Sequence, residues 1–296
     1  KEILYQLNLI TSLLRPAAEA VRSRVEEVLD GNNATKPQKL LQAQEVKYQR
    51  AIKGLNDPLV PIGAHTLHLL RELMIARSEI VSLDFVIELH MVQLKDPEPF
   101  IYLNVIKGLQ ELIPWDPKKV LGIYTKIYTD NKSELDERLR VGEVLLRYVQ
   151  QENEVFAGEC AKIVVESAIL LVRRGKECET DDRIRNSAMS LLGICCLSNP
   201  LGFVNQLNDV LDCAIGILQL ESVPEKAAMR RAAVVLLNDL IIGTSKSSTL
   251  PFPENYRESA WISLNHVATT DTDLLVREQA TSVIRTIEEL AQLGVE

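Results

Sequence analysis

The stretch NDPLVPIGAHTLHLL, residues 56–70, returns in altered form along most of the chain, and that return limits the possible folds more than any other feature. An Asp-Pro turn leads into a helix with an apolar stripe. The same grammar is read in DPEPFIYLNVIKGL, ELDERLRVGEVLL, TDDRIRNSAMSLL, VPEKAAMRRAAVVLL and TDTDLLVREQATSVI. The shared grammar is an acidic or proline start, an apolar residue, a basic residue, a small residue three later and an aliphatic residue four beyond that; it is strong in the last three copies and weaker earlier, where Gly63 and Ile101 stand in place of Arg. Aligned on the basic residue, the reference positions are Gly63, Ile101, Arg140, Arg185, Arg230 and Arg277. Their successive spacings are 38, 39, 45, 45 and 47. The second and third copies fit better with a shift of one residue, onto Val105/Leu109 and Gly142/Leu146.

The physics of the phrase is local. Asp at a helix start accepts from free backbone N–H groups and suits the positive end of the helix dipole. The small residue (Ala188, Ala233, Ala280) lets a neighbouring helix come close, and the aliphatic one (Leu192, Leu237, Ile284) lies a turn further along the same face. One helix pair cannot bury that face alone, so neighbours stack into an array. A period of about 40–47 residues is that of HEAT and armadillo repeats. The expected fold is all-α, an α-solenoid of HEAT/armadillo-like helical repeats.

Spacings of three and four between apolar residues place helices near 39–54, 60–76, 80–94, 98–113, 117–129, 133–151, 154–174, 181–197, 200–219, 224–242, 255–269 and 273–293. No run of strict alternation predicts a strand. Residues 1–38 read as an N-terminal helical pair, broken at Arg15-Pro16, followed by the loop DGNNATKPQ (30–38). Residues 39–296 read as the repeat array, about six helix pairs. A second long loop is TSKSSTLPFPEN, rich in Ser, Thr and Pro. It reads as a connection, with partner docking or modification as the sharper alternative.

Composition narrows the function. The 296 residues carry a net charge of -8, which argues against non-specific nucleic-acid binding, since that needs Lys and Arg to neutralise phosphates. The five cysteines are an odd number in apolar settings such as SLLGICCLSNP, as expected of reduced, packed thiols. No run reaches the roughly 18 apolar residues of a spanning helix. No signal-peptide pattern is present, and the start KEILYQ, without Met, reads as a piece of a longer protein.

Candidate chemistry is sparse. Arg140, Arg185, Arg230 and Arg277 recur at one repeat position. They read as a structural ladder paired with carboxylates of neighbouring repeats, with Asp136, Asp182, Glu225 and Asp273 as candidates. The competing reading is a basic ridge for an acidic partner. His65 and His68 share a helix face, and with His90 could suggest zinc, but no Cys or carboxylate joins them. Cys195 and Cys196 are adjacent, so their side chains diverge by about 100 degrees on a helix. No phosphate-binding glycine loop, nucleophile elbow or metalloprotease motif occurs. The two Asn-x-Ser/Thr sequons, at Asn33 and Asn131, read as chance in a chain without a secretory signal. The expectation is no enzyme, no cofactor and no metal. If a partner binds along the second helices of the pairs, their exposed polar residues should touch it: Arg71, Lys107, Glu111, Arg147, Asn238 and Arg285.

One resemblance goes further. Asp57, Pro58, Val60, Pro61, Ile62, Ala64, His65, Leu67, Leu69, Leu70, Arg71 and Leu73 match a segment of the family of factors required for nuclear transport of RNA polymerase II. LHMVQLKDPEPFIYLNVIKGLQEL (89–112) is similar to a second familial phrase, and MRRAAVVLLNDLI (229–241) resembles the family's second block. Gly63 and Thr66 depart from the Arg and Gly of that pattern. The resemblance implies a HEAT-like adaptor, cytoplasmic and shuttling to the nucleus, for RNA polymerase II assembly and import. Its implied partners are polymerase subunits, nucleoporins and assembly chaperones, without direct nucleic-acid contact or membrane insertion. Animal relatives carry a transport and Golgi organisation name, so a vesicle-transport scaffold is the alternative.

Overall fold

The structure is a computed structural model that describes residues 36–55, 57–174, 179 and 181–292. The helical pair expected in 1–29 lies outside the described residues. Among the described residues twelve α-helices follow one another: α1 (Lys36–Gly54), α2 (Val60–Ile75), α3 (Leu83–Gln93), α4 (Pro99–Leu112), α5 (Pro117–Thr129), α6 (Leu135–Glu152), α7 (Gly158–Val172), α8 (Asp182–Ser198), α9 (Leu207–Leu220), α10 (Ala227–Ser245), α11 (Glu254–Thr270) and α12 (Leu274–Gln292). No strand occurs among the described residues.

The chain forms two compact units, residues 1–49 and 50–296, with the boundary inside α1. In the second unit the even-numbered helices α2, α4, α6, α8, α10 and α12 pack each on the next as one layer. The odd-numbered helices lie on the other side, α3 against α4, α5 against α6, and so on to α11 against α12. Residues 50–54 of α1 lie against α2, where a Cβ on Gly54 would come within 2.3 Å of Thr66 Cγ2. The array is an α-solenoid of stacked helix pairs.

Local chemistry explains where the helices start. Asp116 accepts the Lys119 N–H at 3.2 Å ahead of Pro117, and Asp181 accepts the Arg183 N–H at 2.9 Å. Three expected helices begin later than the apolar spacing suggests. Short 3₁₀ turns, Asn153–Val155, Pro200–Phe203 and Pro224–Lys226, take their first residues. Proline fixes φ and lacks an N–H, so two of these turns tighten before the α-helix opens. The third starts at Asn153, whose φ of 46° breaks the chain out of α6. At the other end, α1 begins at Lys36, inside the segment expected as loop.

The buried face repeats from helix to helix. Val141, Val144, Leu145, Tyr148 and Val149 of α6 correspond to Ala188, Leu191, Leu192, Cys195 and Cys196 of α8, and all are buried. Ala233, Leu236, Leu237 and Leu240 continue the series in α10. This places the reference positions at Gly63, Tyr102, Arg138, Arg185, Arg230 and Arg277. The third copy is therefore aligned on Arg138 rather than Arg140, and the second on Tyr102 rather than Ile101. Arg138 and Arg140 stand about 200 degrees apart on the helix, so burial of one turns the other away.

Candidate functional site

Three arginines at the repeat position, Arg138, Arg185 and Arg230, face inward and join one pair to the next. Arg185 donates from Nη2 to Glu221 Oε1 at 2.6 Å and from Nη1 to Oε2 at 3.2 Å. Glu221 ends α9, in the following pair. Arg230 repeats the arrangement, with Nε to Asp271 Oδ2 at 2.6 Å and Nη2 to Oδ1 at 2.9 Å. Its remaining Nη1 donates to the Glu221 and Val223 carbonyls at 2.8 and 2.7 Å. Arg138 bonds Glu179 and donates to the Tyr128 carbonyl at 3.0 Å. Each guanidinium thus reaches the turn of the next pair, and in each pair both charged side chains are buried. A bidentate, desolvated pair of this kind fixes orientation as well as contact.

The carboxylates expected to carry the ladder do other things. Asp136 and Glu225 are exposed, and Asp182 lies 3.8 Å from Arg185 while taking Lys226 Nζ at 2.6 Å. Asp273 accepts the Val276 N–H at 3.0 Å. A carboxylate at a helix start serves the free amides there, whereas Glu179, Glu221 and Asp271 sit where the preceding pair's arginine arrives. Arg277 donates to the Asp271 carbonyl at 2.7 Å. Arg140 reaches backwards instead, to the Leu94 and Asp96 carbonyls, with its guanidinium 3.9 Å above the Tyr102 ring.

The residues expected to meet a partner divide into two groups. Arg71 and Glu111 form a half-buried ion pair at 2.7 Å that ties α2 to α4. Arg147 pairs with Glu143 at 2.6 Å, and its carbonyl accepts from Gln110 at 3.4 Å. Lys107 is exposed one turn before Glu111. These four lie on successive even-numbered helices. Asn238 is half-buried on α10, 3.5 Å from Asp239 Oδ1, and Arg285 is exposed on α12.

Sequence reasoning did not find a cleft of about 350 Å³ beside α10, α11 and α12. Ile241, Phe252, Trp261, Ile287 and Leu290 wall it, and Arg257 supplies the charge. The loop TSKSSTLPFPEN was its one signal, through the Phe between two prolines.

The remaining candidates are packed or solvated. His65 is exposed, and His68 Nε2 meets Glu72 at 3.3 Å across one turn. Burial brings the pKa of His90 down to about 4, against a smaller upward push from the Val86 carbonyl. Burial also lifts Cys196 to about 12 and Cys213 to about 11, which keeps both as thiols. Cys178 lies outside the described residues. Among the described residues no three metal-ligating side chains converge, and no helix is long and apolar enough to cross a membrane.

The geometry defines a helical-repeat protein: stacked pairs, buried cross-links between the later ones, and a continuous layer of second helices. Residues 48–155 match the family described as "Required for nuclear transport of RNA pol II C-terminus 1", and residues 263–289 match "Required for nuclear transport of RNA pol II C-terminus 2". Over these two segments the chain is similar to the C-terminal part of this family. The second matched block is 263–289, not the expected 229–241.

Among curated proteins, the chain is 35% identical over 283 residues to "RNA polymerase II assembly factor RTP1" of Saccharomyces cerevisiae, covering 92% of this chain and 29% of that protein. It is 22% identical over 277 residues to "RNA polymerase II assembly factor rtp1" of Schizosaccharomyces pombe, covering 94% and 34%. The chain spans about a third of the length of these relatives. Among solved structures, an engineered protein aligns with a TM-score of 0.46 at 12% identity, over 82% of this chain and 96% of its own. A designed armadillo repeat protein aligns at 0.41 and 13% identity, over 80% and 98%.

Proposed function

We propose that this chain is a non-catalytic adaptor for RNA polymerase II assembly and nuclear import, binding polymerase subunits through its repeat surface. The observation that carries the reading is the continuous layer of even-numbered helices, its later pairs joined by buried arginine pairs, in a chain similar to two proteins named assembly factors. A layer of this length offers many weak contacts, and their joint engagement raises affinity beyond any one of them. Lys107 and Arg285 are its exposed charged contacts. Arg71, Glu111, Arg147 and Asn238 join them where a partner displaces or extends their internal bonds. Import machinery, nucleoporins among it, and assembly chaperones are the further partners, in the cytoplasm and on passage to the nucleus.

The test uses the 296-residue chain as bait in cell extract at physiological salt, with mass spectrometry as readout. Enrichment of RNA polymerase II subunits over a scrambled-surface control supports the reading. Recovery of Golgi coat proteins without polymerase overturns it and leaves the solenoid in place.

A further inference from the structure

The turns that join one helix pair to the next share a device. After α4, α6 and α8 a large apolar side chain turns inward: Ile113 and Phe203 are 0% exposed, and Phe156 is 2% exposed. Phe156 packs edge-on against Tyr148 with ring centroids 6.3 Å apart. Each of these residues plugs the space between its turn and the helices around it. The turn after α10 departs from the rule. Its aromatic, Phe252, is only half-buried and lines the cleft instead of filling it.

The cleft's polar groups are largely used internally. Thr244 donates to the Leu240 carbonyl at 2.7 Å, and Ser245 donates to the Ile242 carbonyl at 2.9 Å. Ser247 Oγ accepts the Thr249 and Leu250 N–H groups at 3.3 and 3.1 Å, which shapes the strap that carries Phe252. Arg257 is the exception. It is exposed, lines the cleft, and forms no ion pair among the described residues. Glu254 and Glu258 are exposed on the same helix but do not line the cleft. The site therefore combines an apolar hole, set where the chain elsewhere inserts its own side chain, with one uncompensated cation at the wall.

We infer that this cleft receives a large apolar side chain from an acidic segment of a partner protein. The inserted side chain takes the place that Ile113, Phe156 and Phe203 occupy in their own turns. An adjacent carboxylate meets Arg257. Recognition is then of a short linear segment, with an apolar anchor setting affinity and the charge setting which segment is accepted.

The test is direct binding, read by fluorescence anisotropy, of a labelled peptide about nine residues long with one Phe between two Glu in a Gly/Ser background. Saturable binding to the full chain is expected. It should fall about tenfold or more when the peptide Phe becomes Ala, when its Glu residues become Lys, or when the protein carries Arg257→Glu. Ala291→Trp, placed at an exposed position of the lining, should block the cleft and give the same loss. Both protein positions are exposed, so unchanged melting separates lost binding from lost fold. Absence of saturable binding, equal binding of the Ala or Lys peptides, or binding indifferent to both protein variants overturns the inference.

Discussion

His90 shows what one buried group does to this chain. Its ring is 0% exposed on α3, and Nδ1 lies 2.7 Å from the Val86 carbonyl, to which it donates. Nε2 has no hydrogen-bond partner and faces Gly108, where a Cβ would be 2.4 Å away. Burial lowers the folded pKa to about 4, from the ordinary 6.5. The unfolded chain therefore binds the proton more readily. The stability linked to this group is present above about pH 6.5 and is lost as pH falls toward 4, by up to about 3 kcal/mol. Melting temperature measured from pH 7 to 4.5 should decline in the wild type, and His90→Leu should flatten that decline. Parallel slopes would place the effect elsewhere.

A second residue-scale prediction concerns the cross-links. Burial would raise the pKa of Asp271, but the hydrogen bonds from Arg230 and from the Asp273 N–H outweigh it, and the carboxyl is held below its usual range. Asp271→Asn leaves the Arg230 guanidinium buried without its counter-charge. Urea unfolding should show a loss of about 3 kcal/mol. Asp182→Asn removes a half-exposed partner of Lys226 and should cost under about 1 kcal/mol.

At the scale of elements, small residues set how closely the even-numbered helices approach. A Cβ on Gly243 of α10 would lie 2.7 Å from the Cys196 carbonyl oxygen of α8, which is backbone and cannot swing aside. Gly243→Ala should cost about 1–3 kcal/mol through overpacking. Gly216 of α9 has nothing within 4 Å of the same added atom. Gly216→Ala should leave stability equal or raise it by up to about 1 kcal/mol, because the helix loses a glycine. Chemical denaturation of the two variants side by side checks the contrast. Similar losses in both would mean that backbone approach is not what limits this interface.

At the scale of the whole molecule, each pair of the second unit touches chiefly its neighbours, so damage should travel a limited distance. Ala233 is 0% exposed on α10, between α8 and α12. Ala233→Glu forces a charge into that contact. Hydrogen exchange should then show lost protection in α8, α10 and α12, with α2 and α4 unchanged. A uniform loss along the array would instead show that the stack unfolds as one unit.

Local rules settled much of this architecture. Twelve helix positions, their short turns and the repeat period follow from apolar spacing, prolines and capping acids, and all of these act over a few residues. The equivalence of α8 and α10 was legible because Arg, Ala and Leu fall at the same offsets in both. Other features needed the assembled stack. ERLR offers Arg138 and Arg140 on nearly opposite sides of one helix, and only packing against neighbouring helices selects which is buried. The carboxylates that receive the arginines, Glu179, Glu221 and Asp271, lie 36 to 41 residues away, on turns whose position depends on how the next pair docks. The cleft at Arg257 and Trp261 is likewise a place where packing is incomplete, and a sequence lists residues without the space left between them.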